Sequence, residues 1–179
     1  FATDGPEDRP LSDRCIMGFN AGPPVNPSFY NNNVQIVQNQ DHVVILTEMV
    51  HDARMVPLDG RPHTDEAIGL WTGDSRGHWE GDTLVVETRN FNGLTHSFFG
   101  LGSSENKLLV EKFTRIAVDR IDYEFNVIDP DTFTDPVVGL IPFYKVAGQV
   151  YEYACHEGNY GMVNILRGAR VADQAKNSE

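Results

Sequence analysis

The sequence predicts a mainly β protein: one antiparallel lipocalin-like β-barrel domain, or as second choice a β-sandwich, with an irregular N-terminal arm and one or two short helices. Three observations predict it. Short β-branched and aromatic runs recur from Val34 onward. Tight turns such as Asn39-Gln40-Asp41 and Glu80-Gly81-Asp82 separate several of them, too short for helical crossovers, so neighbouring strands should be antiparallel. Within the runs, apolar and polar residues alternate, which gives each strand two unlike faces. The barrel ranks first because closure removes exposed sheet edges.

Residues 1–33 carry Pro23-Pro24, Asn26-Pro27 and Asn31-Asn32-Asn33 without a hydrophobic period, the pattern of a wrapping arm. Val34–Gln38 and His42–Met49 read as a hairpin, and Arg54–Pro57 as a short strand ending at Asp59-Gly60. Thr64 is placed to cap a brief helix through Trp71, with Asp65 and Glu66 in its first turn. Gly77–Trp79 and Thr83–Thr88 flank the next turn, and Trp79 suits a plug for the barrel. Longer strands follow at Lys107–Val118 and Ile121–Ile128. After Asp129-Pro130-Asp131, Val138–Val146 resumes, with Pro142 acceptable on an edge. Val150–His156 reads as the last strand and Gly161–Ala172 as a short helix that Gly168 weakens. The organisation is then an arm over 1–33, one β domain over 34–172 and a polar tail over 173–179.

A chain of 179 residues suits a single domain, and 40% hydrophobic residues give a globular rather than a disordered composition. The net charge of −12 repels phosphate backbones and excludes nucleic acid as an expected partner. No apolar run approaches the roughly 20 residues that span a bilayer. Phe1 followed by Ala2-Thr3-Asp4-Gly5-Pro6 reads as a start exposed by removal of a signal peptide, which places the protein in the periplasm or outside the cell. Two cysteines are too few for a thiolate zinc site; in an exported protein Cys15 and Cys155 are expected to pair, two buried free thiols being the other reading.

Arginine outnumbers lysine 10 to 4, which suits bidentate recognition of carboxylates. Arg54, Arg61, His63, Arg76 and Trp71 are candidate ligand contacts. So are Glu87, Glu111, Arg115 and Glu124, which share strand faces with apolar neighbours as if lining a polar-floored cavity; the competing reading is cross-strand ion pairs on an exposed sheet. His51, His78, His156 and Glu152 are candidates for acid–base catalysis. There is no HExxH, no GxSxG and no phosphate loop. No cofactor is expected, and a metal ion held by His51, His63 and His78 is the weaker reading.

Three segments are distinctive: Val56–His63, Gly73–Val86 with its core Gly-His-Trp-Glu-Gly-Asp, and Tyr151–Gly161 with Tyr-Glu-Tyr-Ala-Cys-His-Glu-Gly-Asn-Tyr-Gly. On these the chain resembles an uncharacterised family of exported bacterial proteins from about Asn31 to Arg170. The resemblance implies export and a single domain, and it transfers no catalytic residue. Two functions follow as expectations. The first is an exported protein that binds a small polar or aromatic ligand and transforms it by non-redox lyase, isomerase or hydrolase chemistry. The second is a structural or accessory subunit, homo-oligomeric or part of a larger assembly, built through the arm and tail.

Overall fold

The computed structural model describes residues 2–95 and 103–177. Eight strands form two antiparallel sheets among these residues. β1 (Val34–Gln38), β2 (His42–Thr47) and β3 (Ala53–Pro57) make a three-stranded sheet. β4 (Asp74–Glu80), β5 (Thr83–Arg89), β6 (Leu108–Ala117), β7 (Arg120–Ile128) and β8 (Val137–Tyr144) make a five-stranded meander. One α-helix, α1, spans Tyr160–Lys176. No strand pairing joins the two sheets, so the expected closed barrel is not observed among the described residues; the arrangement is consistent with a sandwich.

The two sheets share one core. Val43, Ile45 and Val56 of the smaller sheet pack with Leu84, Val86, Leu109, Phe113, Tyr123, Phe125 and Val127 of the larger one. The sheets come closest where β3 meets β4. A Cβ on Gly77 would lie 2.7 Å from Val56 and 2.9 Å from Leu58, so only glycine admits this approach. The inner face of the larger sheet runs in rows fixed by register: Gly77, Val86, Glu111, Phe125 and Gly139 form the central one.

The arm is irregular apart from one 3-10 turn at Pro6–Asp8, and it enters the core. Val25 is buried and its N–H donates to Tyr123 Oη at 3.1 Å. Asn20 Nδ2 knots the loop behind it by donating to Ser28 Oγ, Asn32 Oδ1 and the carbonyls of Tyr30 and Asn31. Cys15 and Cys155 form the expected disulfide, which fits an oxidising compartment. None of the described helices is long and apolar enough to cross a membrane.

Five further sequence expectations change. The helix over Thr64–Trp71 is absent: Asn90 Nδ2 donates to the Thr64 and Asp65 carbonyls that a first helical turn would need, and Leu70 bridges to Phe91. β2 stops at Thr47, because Val50 and His51 take positive φ. Val150–His156 is not a strand; the disulfide and a contact between His51 Nδ1 and the Tyr153 carbonyl (3.0 Å) hold it against the arm and the β2–β3 connection. Trp79 plugs nothing, being 47% exposed near the tip of the β4–β5 hairpin. α1 runs further than expected, to Lys176, so residues 173–176 of the polar tail are helical; residues 178–179 lie outside the described residues.

Candidate functional site

The outer face of the β4–β5 hairpin carries Asp74 and Arg76 opposite Arg89 and Glu87. The connection from β3 folds back over this face and sets His63 between the two acids. His63 Nδ1 lies 3.1 Å from Asp74 Oδ2, and Nε2 lies 3.5 Å from Glu87 Oε1. Asp74 also accepts from Thr64 N–H (2.9 Å) and from Arg76 Nη1 (2.6 Å), while Arg76 Nε donates to the Pro62 carbonyl. Partial burial works against the Asp74 charge, yet these donors outweigh it and hold the carboxyl below its ordinary pKa. Arg89 Nε donates to Glu87 at 2.6 Å; its two terminal nitrogens have no partner among the described residues.

Those terminal nitrogens belong to a residue that lines a cleft of about 430 Å³. Glu66, Ala67 and Gly69 line it from the β3–β4 connection; Arg89, Asn90 and Phe91 from the end of β5; Glu105, Asn106, Lys107 and Leu108 from the approach to β6. Lys107 is 2% exposed, and its Nζ sits 3.6 Å from the Phe91 ring centroid. That amine has no hydrogen-bond partner among the described residues. Burial lowers its pKa to about 8, with the charges of Asp129 and Glu111 opposing the shift.

The core also holds a charged pair. Arg54 reaches from β3 to Glu111 at the centre of the larger sheet and donates through both terminal nitrogens, Nη2 to Oε1 at 2.9 Å. Tyr123 Oη donates to the same Oε1 at 2.7 Å. Burial pulls the Arg54 pKa down, but Glu111 more than offsets this and the guanidinium keeps its proton above the ordinary value. Burial and the Glu111 charge push the Tyr123 hydroxyl well above its own.

The structure thus gathers His63, Arg76 and Glu87 in one place and Arg54 with Glu111 in another. It does not unite the expected polar-floored cavity, because strand alternation puts Glu111 on the inner face and Glu87 and Glu124 on the outer one. Glu124 faces Lys112 across the β6–β7 pair, and Arg115 turns onto the Ala117 and Val118 carbonyls. Arg61 closes on Asp59 beside it, where hydrogen bonds from Arg61 lower the Asp59 pKa to about 2. His78 pairs with Glu80, and Glu152 and His156 lie exposed in the segment before α1. Trp71 is half-buried in the β3–β4 connection. Among the described residues no three His, Cys, Asp or Glu side chains are arranged to hold a metal ion.

The sequence reading missed Asp74, Arg89, Lys107 and Asp129 as site residues. A signal for two of them existed. Stepping back by two from Leu109 on the Leu109–Glu111–Phe113 face reaches Lys107, and stepping on by two from Val127 reaches Asp129; both are buried. The chain matches no protein-family model, no curated protein and no solved structure.

Proposed function

We propose that the protein is an exported binder of a small polar ligand with an anionic group, held in the cleft beside Arg89. The observation that carries this is the guanidinium of Arg89: it lines the cleft, is anchored by its Nε to Glu87 and leaves both terminal nitrogens unpartnered among the described residues. A planar fork fixed at one nitrogen is suited to a carboxylate. His63 is the natural proton carrier for acid–base chemistry on such a ligand, since Asp74 fixes its Nδ1 and it shares Glu87 with Arg89. The resemblance to exported proteins and the disulfide support the compartment.

Calorimetric titration of the purified chain with a panel of mono- and dicarboxylates tests this. Arg89→Ala is expected to weaken the best ligand by about tenfold or more, at unchanged circular dichroism, in line with one lost charge-assisted bidentate contact. Equal binding by both proteins overturns the assignment.

The accessory-subunit reading rests on a different observation. α1 contains no buried residue and exposes Tyr160, Val163 and Val171, while β8 presents Val138, Leu140 and Tyr144 on an open sheet edge. Sedimentation at rising concentration separates the two: a monomer throughout speaks against self-assembly through these surfaces.

A further inference from the structure

Lys107 is used by nothing described so far. Buried lysines with a structural role hydrogen-bond a carboxylate, but the two carboxylates nearest in charge to Lys107 are already taken. Asp129 accepts from Ser104 N–H (2.9 Å), Ser104 Oγ (2.6 Å) and Thr132 Oγ1 (2.8 Å). Glu111 accepts from Arg54 and Tyr123. The amine is left over the Phe91 ring with electrostatic support and no hydrogen bond among the described residues, and both residues line the cleft.

An amine that is desolvated, unpartnered and beside an aromatic wall is the environment in which lysine becomes a nucleophile toward carbonyl carbon. We propose that Lys107 is a Schiff-base-forming residue and that, with Arg89 in the same cleft, it selects oxo acids: small molecules with an aldehyde or ketone beside a carboxylate. The choice of oxo acids rests on the Arg89 reading above; the nucleophilic amine does not. In the step, the Nζ lone pair attacks the carbonyl carbon and the C=O π pair moves to oxygen, which takes a proton. That proton is one of the two N–H protons of the attacking amine; the carbinolamine's hydroxyl then leaves with the other as water, and the nitrogen lone pair closes the C=N bond. No oxidant or reductant is consumed. The charged groups around the amine are Asp129 after β7, Glu111 on β6 with its partner Arg54, and, among the cleft-lining residues, Arg89, Glu66 and Glu105.

The sequence has four lysines, and Lys112, Lys145 and Lys176 are exposed, so trapping is easy to read. The chain is incubated near neutral pH with glyoxylate and cyanoborohydride, whose hydride converts the imine to a stable secondary amine, and the adducts are located by peptide mass spectrometry. Lys107 is expected to label at least about tenfold faster than the exposed lysines, because far more of it is neutral at that pH. Its rate should level off above pH about 8 while theirs keeps rising. Labelling confined to the exposed lysines overturns the proposal. A parallel reaction uses propionaldehyde, which has no carboxylate. Arg89→Ala should slow glyoxylate at Lys107 and leave propionaldehyde unaffected; if it slows neither, the amine site stands and the oxo-acid selectivity falls.

Discussion

Glu111 is fully buried at the middle of a β-sheet and is tolerated only because three donated hydrogen bonds meet its two oxygens. Removing one partner strands the other's charge in the core. Arg54→Met alone, or Glu111→Leu alone, is expected to cost about 3–5 kcal/mol in urea denaturation. The double variant, which removes both charges, should recover most of that loss. If the double variant is as unstable as the two singles combined, the pair does not act as a unit. Sequence pattern alone pointed to both residues but not to each other: Arg54 and Glu111 lie in different sheets, and alternation says which face a residue takes without saying what stands opposite. Lys107 and Asp129 were legible by that same alternation, one as the first residue of an expected strand and the other just past the end of the next.

At the scale of elements, the hairpins β1–β2, β4–β5 and β6–β7 follow the turns and alternation closely, because antiparallel pairing is a local decision. What the sequence misjudged was decided by distant partners. The segment from Thr64 to Trp71 has a good cap and acidic first turn, but Asn90 competes for its carbonyls. Tyr151–His156 has strand-like residues, and a covalent bond to the arm settles where it lies. No residue from 145 to 177 is buried, so this stretch depends on tethers: the disulfide, Asn159 Nδ2 to the Asp13 carbonyl (2.7 Å), and Arg170 to the Thr3 and Asp4 carbonyls. Replacing Cys15 and Cys155 together by serine should therefore have two readouts. Amide exchange should quicken more over residues 145–177 than in β5, β6 and β7, whose protection falls only with global stability. Global stability should also fall, by about 4–5 kcal/mol on the chain-entropy account of so long a closed loop. Equal loss of protection in the sheets and in residues 145–177 would show that the tethered stretch supports the core after all.

For the molecule as a whole, the buried amine ties stability to pH. Folded Lys107 releases its proton near pH 8, whereas in the unfolded chain it holds it to about 10.5. Between these values the unfolded state binds more protons, so Lys107 makes stability rise with pH across that window; below about 8 its full desolvation cost is present. Thermal melts from pH 7 to 10.5 should show the wild type gaining on Lys107→Met as pH rises; parallel curves would mean that the amine is not desolvated. Order along the chain matters too. The strands of each sheet follow one another in sequence, so each hairpin can form soon after its residues are made. The arm precedes in sequence the residues that hold it. Val25 must wait for Tyr123, Asp13 for Asn159, and the Cys15 thiol for Cys155, 140 positions downstream. The arm is thus made before the residues that hold it. Cys15 therefore carries a reactive thiol until Cys155, which lies beyond β8, has been made.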